Sequence, residues 1–303
     1  MTVDVLVVGA GPAGLSTGLS ANRTGLETTV LEAESVGGEL VNRNTIENLP
    51  GHLPVSGTEL RSTLVEQFRA AGGLITLGTV ERIHDGDPFL VTTTGGEYRS
   101  RSVVLATGGR PSPLGIPGEE TYTGRGVFHC ATCDGPLYVG ETVAVAGSSD
   151  WAATDALFLT NHVDHVVLIE SGDRLDAGDA LRDRLTDHSA VDVRTQTEIT
   201  EIQGEEVLER LRLVDRDDGR EYVESVGGLY VQQGIEPATD AFSDIVSLND
   251  RGEVVVEAGL ETDTSGIFAA GDVRQSSPRT VAAAIGDGVT AAHSAASHVE
   301  RSQ

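Results

Sequence analysis

The chain has no lysine. All 21 of its basic side chains are arginine, set against 47 Asp and Glu, for a formal charge of −26 over 303 residues. Such a charge is repelled by polyphosphate backbones and anionic lipid headgroups, so nucleic acid and membrane surfaces are not expected partners. Self-repulsion also works against the compact state, a cost that fades as the screening length falls to about 3 Å near molar salt. The acids are spread along the chain rather than gathered in blocks. That argues for a solvating surface in the cytoplasm of an extreme halophile over an acidic patch for one basic partner. No run of 18 apolar residues is present, which excludes a spanning helix, and the first strand begins within four residues, so no signal peptide is expected.

Cysteine is almost absent too: Cys130 and Cys133 are the only two. Two cysteines cannot build a disulfide framework, and a structural zinc site needs four ligands at matching spacing, so no metal site is expected. A c-type haem attachment needs a His after the second Cys, whereas His129 precedes the first. At C-x-x-C spacing the pair can close a small ring, and such thiols serve redox exchange. Asp134, directly after the second sulfur, is placed to carry protons as thiolate and thiol interchange. His129 is either a neighbour that lowers the Cys130 pKa or accepts its proton, or a half-exposed side chain with no role.

Glycine, by contrast, is plentiful, and it falls in patterns. The apolar run Val5-Leu6-Val7-Val8 has the look of a fully buried strand, and GAGPAG at 9–14 follows it directly, leading into a helical pattern with Leu15 and Leu19. This is G-x-G-x-x-G between strand and helix, where glycines let the backbone approach a pyrophosphate held at the helix N-terminus. A second strand, Thr28 to Leu31, ends in Glu32, suited to a ribose hydroxyl. Near the C-terminus, GIFAAGDV at 266–273 reads as a short buried strand ending in Gly271-Asp272. A small-residue helix is expected from about Thr280 to His298. Asp272 suits a ribityl hydroxyl, and the helix start suits a flavin ring or phosphate.

The order GAGPAG (9–14), GGEL (37–40), IENLPG (46–51), LATGGRPSPLGIPGEE (105–120), HCATCDGP (129–136) and GIFAAGDV (266–273) resembles the low-molecular-weight thioredoxin reductases over nearly the full chain. The resemblance implies an α/β protein of two Rossmann-like dinucleotide-binding domains, the second inserted into the first. The FAD domain takes 1–110 and 241–303, and a pyridine-nucleotide-like domain with the dithiol takes 111–240. It implies an FAD-dependent dithiol–disulfide oxidoreductase, working as a homodimer on thioredoxin or a similar small dithiol protein. Cys133 is the inner sulfur near the flavin, Cys130 the outer, interchange sulfur, and Asp134 the proton donor and acceptor. Gly9, Gly11, Pro12, Ala13, Gly14, Glu32, Gly38, Glu39, Asn48 and Thr107 line the FAD, with Gly271, Asp272, Thr280 and Val281 at the flavin end. Glu39 stands where the family commonly has Gln, and Arg279-Thr280-Val281 where it has Arg-Gln-Ala.

The insert departs further. After the strand Thr142 to Ala146 the turn reads Gly147-Ser148-Ser149-Asp150-Trp151-Ala152, where relatives that use NADPH carry G-x-G-x-x-A. Ser149 fills the place of the glycine nearest the pyrophosphate, and Asp150 adds a negative charge there. Trp151, the only tryptophan, is expected to pack in the domain core, the alternative being a cover for nucleotide or flavin. The next strand, Val166 to Ile169, ends in Glu170 where such relatives place arginines for a 2′-phosphate. NADPH is therefore the least expected donor and NADH a better one. The remaining alternatives are a ferredoxin-linked reductase or dithiol oxidase that binds no pyridine nucleotide, and a flavin-binding redox sensor without turnover.

Overall fold

A computed structural model describes residues 2–43 and 45–302, and the chain divides into two compact units, 1–110 with 236–303 and 111–235. In the first, a seven-stranded sheet runs in the order Leu74–Leu77, Thr28–Glu32, Thr2–Val8, Gly96–Leu105, Phe89–Thr93, Val80–His84. The long strand Gly96–Leu105 pairs along one side with Thr2–Val8 and shares its other side between two strands. Its first half pairs antiparallel with Phe89–Thr93, and its last three residues pair parallel with Ile267–Ala269. The run Val5-Leu6-Val7-Val8 reads as continuously apolar because both faces of the strand are covered there. Val5 and Val7 pack with Leu15, Phe68 and Ala291, while Leu6 and Val8 pack with Leu31, Phe242 and Ile267.

The helices Pro12–Arg23 and Val281–Arg301 pack closely on the first of these faces. A Cβ on Gly288 would lie 2.4 Å from the Ala13 carbonyl oxygen, and the Ser16 hydroxyl donates to the Ile285 carbonyl at 2.8 Å. The C-terminal helix begins at the expected place, with Thr280 as its N-cap, and runs three residues past the expected end.

In the second unit five parallel strands are ordered Val191–Arg194, His165–Ile169, Thr142–Ala146, Gly228–Val231, Val127–Phe128. Beside them Thr197–Gly204, Leu208–Asp215 and Glu221–Ser225 form an antiparallel sheet, the last two joined across an Asp217-Asp218-Gly219 turn. Among the described residues no helix is long and apolar enough to cross a membrane.

Candidate functional site

In the first unit the G-x-G-x-x-G turn is built by steric necessity at two of its glycines. Gly9 has φ +105°, and a Cβ there would sit 2.3 Å from the Ala106 carbonyl oxygen; one on Gly14 would sit 1.8 Å from the Gly9 oxygen. Gly11 is different. Its backbone (φ −75°, ψ −173°) suits any residue, and beyond its chain neighbours no atom of the described residues lies within 4 Å of the Cβ it lacks. Neither the backbone nor the packing asks for glycine there, so the space is kept for something outside the chain. Gly11 is also the N-cap of Pro12–Arg23, whose first turn contains Pro12 and Ala13, no acid and no side-chain cap. The helix start therefore keeps its positive end open to an anion.

Around this opening stand most of the expected FAD residues. The buried Glu32 carboxylate accepts from Ala10 N at 2.7 Å and Glu34 N at 2.9 Å, leaving further lone pairs for a hydroxyl. Gly38 (φ +51°) lies over Gly11, and Gly271 (φ +80°) brings the Ile267–Ala269 strand end against Ala13. Thr107 donates to the Ala238 carbonyl at 2.7 Å, and Val281 is half-buried at the start of the C-terminal helix. Glu39 is held by Arg43 at 3.2 Å and Asn42 at 3.4 Å, and Asn48 is exposed. These residues fit a dinucleotide with an uncapped helix start for its pyrophosphate and an acid for its ribose.

Sequence reasoning missed what fixes the other end. Asp287 accepts from Gly271 N at 3.0 Å and binds Arg274 through two bonds of 2.6 and 2.9 Å. The one signal was an acid inside an otherwise small-residue helix. Asp272 accepts from the Ser277 hydroxyl at 3.0 Å. Burial pushes its carboxyl above the usual range; Ser277 and Arg279 oppose the rise, and Asp287 and Glu39 add to it. A raised folded-state pKa means that the ionised form costs stability, fully above that pKa and not at all below the unfolded one. Asp272→Asn should therefore raise the melting temperature of the apoprotein at neutral pH, with the gain vanishing as pH falls through the carboxylate range. A variant that melts lower at pH 7 would contradict this.

In the second unit Cys130 and Cys133 are joined as a disulfide. Cys130 is the N-cap of the single turn Ala131–Asp134, and its Sγ accepts from Cys133 N at 3.1 Å. Ala131 is buried, and Gly135 passes so close to Leu159 that a Cβ would sit 2.6 Å from its Cδ2, which seats the turn on the core. Cys133 is exposed, Cys130 and Asp134 half-buried. Burial, then the Asp134 charge, pushes the Tyr138 hydroxyl up, so that carboxylate lies near the ring that stacks on Phe128 at 5.0 Å. The His129 Nδ1–H donates to the Val231 carbonyl at 3.3 Å, which leaves its Nε2 lone pair unprotonated in the neutral ring.

The second glycine turn is closed by bonds from within the chain. Gly147 is forced by the Gln232 carbonyl oxygen, 2.4 Å from a Cβ there. Ser149 caps Asp150–Leu159 by accepting from Ala152 N at 3.3 Å, and Asp150 accepts from Gly178 N at 2.7 Å. Trp151 sits half-buried in that first turn rather than enclosed in the core. Glu170 accepts from Gly172 N at 2.7 Å and from the Ser171 hydroxyl at 3.4 Å, closing its own turn.

A redox dithiol on one dinucleotide-type unit, with a second such unit shaped for FAD, defines a flavoprotein disulfide oxidoreductase. The pyridine nucleotide-disulphide oxidoreductase family matches residues 3–288. The chain is 37% identical over 302 residues to a Treponema pallidum thioredoxin reductase, covering 99% of this chain and 98% of that one. It superposes on a Lactococcus lactis thioredoxin reductase with a TM-score of 0.96 at 31% identity, over 99% of both chains. A ferredoxin-flavin thioredoxin reductase of Clostridium acetobutylicum gives a TM-score of 0.53 at 27% identity, over 99% of this chain and 98% of that one. The chain belongs to the thioredoxin reductases of the pyridine nucleotide-disulphide oxidoreductase family.

Proposed function

We propose that this protein reduces the disulfide of thioredoxin or a similar small dithiol protein, using FAD held by Gly9, Gly11, Pro12, Ala13, Gly14, Glu32, Gly38, Gly271 and Asp272. The observation that carries this reading is the Cys130–Cys133 disulfide with Cys130 Sγ on the Cys133 amide. When bound, FAD supplies the electron pair that reopens this disulfide. The amide favours the Cys130 thiolate, which makes Cys130 the attacking sulfur although Cys133 is the more exposed.

Cys130 Sγ attacks one partner sulfur, the partner S–S bond breaks, and the leaving sulfur takes a proton delivered by Asp134. Cys133 Sγ then attacks Cys130 Sγ, which restores the Cys130–Cys133 bond and frees the second partner sulfur as a thiolate that also takes up a proton. Two electrons leave the dithiol and two protons reach the partner. Leu137 (77% exposed) and Val139 (73%) lie just past the dithiol and suit a protein surface better than a small disulfide.

Single turnover tests the reading without assuming a donor. Holoprotein reduced photochemically by two electrons per FAD in molar potassium chloride, then mixed anaerobically with an oxidised thioredoxin, should release two partner thiols per FAD. Flavin that stays reduced beside an intact partner disulfide points instead to a sensor without turnover.

A ferredoxin as electron source is the second reading, favoured by the capped and acidic turn at Ser149 and Asp150. The lysine-free charge of −26 supports a cytoplasm at multimolar salt, and a melting temperature that climbs with added potassium chloride would support it.

A further inference from the structure

We infer that the inserted unit excludes pyridine dinucleotides altogether, NADH as well as NADPH, because segment 170–178 and the side chains of Ser149, Asp150 and Asp176 fill the place where a pyrophosphate would dock. The inference rests on the disulfide reductase reading only for its biological meaning, since the exclusion is a property of this unit alone.

The chain supplies its own control. Gly11 and Ser149 are structural counterparts: each is the N-cap between a buried parallel strand and its helix, with φ, ψ of −75°, −173° and −74°, 169°. At Gly11 there is no Cβ, no cap and no acid in the first turn. At Ser149 a hydroxyl takes the Ala152 amide, and the next residue is an aspartate. The donors and the positive end that would meet a pyrophosphate are thus already answered from within the chain.

A strap then closes the same turn from above. Ala177 N donates to the Ser148 carbonyl at 2.9 Å, Gly178 N donates to Asp150 at 2.7 Å, and the Ser148 hydroxyl donates to the Asp176 carboxylate at 3.3 Å. The last bond sets a second negative charge on the turn. The strap cannot easily withdraw, because Leu175 and Ala177 are buried in the unit's core. Arg182 braces the strap. Its guanidinium donates to the Leu175 carbonyl at 3.4 Å and to the Ala177 carbonyl, and it pairs with Asp179. A nucleotide would have to displace these bonds and bring two phosphate charges against Asp150 and Asp176. Removing a 2′-phosphate does not relieve that conflict, so NADH fares no better than NADPH.

Trp151, the only tryptophan and the second residue of the capped helix, reports on this turn directly. Holoprotein in molar potassium chloride is titrated with NAD⁺ and NADP⁺ to about 1 mM, the upper end of ordinary KM values. The expected result is an unchanged tryptophan emission, together with FAD that neither NADH nor NADPH bleaches rapidly. A saturable response, or fast bleaching by either nucleotide, overturns the inference. In the triple variant Ser149→Gly, Asp150→Ala, Asp176→Ala, NAD⁺ should evoke a saturable response at least about tenfold stronger in affinity than in the parent. If that variant binds FAD normally yet stays silent, the exclusion does not come from these residues and their assignment fails. Photoreduced holoprotein that cannot reduce a thioredoxin disulfide removes the proposed function while leaving the exclusion standing.

Discussion

Cys133→Ser should trap a thioredoxin-like partner as a stable mixed disulfide on Cys130, whereas Cys130→Ser should trap nothing, and turnover should fall at least about a thousandfold in both. The asymmetry follows from one amide. Cys133 N donates to Cys130 Sγ at 3.1 Å, and the donor is backbone, so it survives replacement of the Cys133 side chain. A lone Cys130 therefore keeps its stabilised thiolate and attacks, but without Cys133 the mixed disulfide is not resolved. A lone Cys133 lacks this donor and starts as the poorer nucleophile. The measurement is a non-reducing gel with mass spectrometry of the linked peptides. A trap formed by Cys130→Ser and not by Cys133→Ser would reverse the two roles.

Gly11→Val should yield folded, colourless protein. Because no described atom beyond the chain neighbours lies within 4 Å of a Cβ at this position, and the backbone there is ordinary, the fold has room for a side chain to begin here. That side chain meets the pyrophosphate, and FAD affinity should drop about a hundredfold, or ~3 kcal/mol. Gly9→Val is the contrasting case. There φ is +105° and the Ala106 oxygen stands 2.3 Å away, so the fold itself should suffer. Flavin absorbance per chain and the apoprotein melting temperature separate these outcomes. A yellow Gly11→Val protein with full FAD content would remove the cofactor from this turn.

What could be read from the sequence was what depends on near neighbours. The strand–turn–helix at the start was legible because a strand covered on both faces must be apolar throughout, and because Gly9 and Gly14 answer to contacts within the turn and its sheet partner. The dithiol was legible because both sulfurs and Asp134 lie within five residues. The strap was not. Ser149 and Asp150 showed that a phosphate would be unwelcome, but Gly178 reaches Asp150 across 28 positions through a backbone amide, and any residue type offers one. Nor was the bond between Asp287 and the Gly271 amide legible, since it depends on how the C-terminal helix is rotated against the strand end. Side-chain chemistry was visible in the sequence where backbone donors, common to every residue, were not.

The close crossing of Pro12–Arg23 and Val281–Arg301 has a consequence in time. The Gly9–Gly14 turn belongs to a unit whose remaining pieces, Gly271, Asp272 and the helix carrying Asp287, are made only after residue 235. Residues 111–235, by contrast, are contiguous and complete before those pieces are made. During translation the inserted unit therefore closes first, on the ribosome, while the first hundred residues wait with an unfinished sheet. The expected order of birth is the dithiol domain, then the finished sheet of the other unit, then colour.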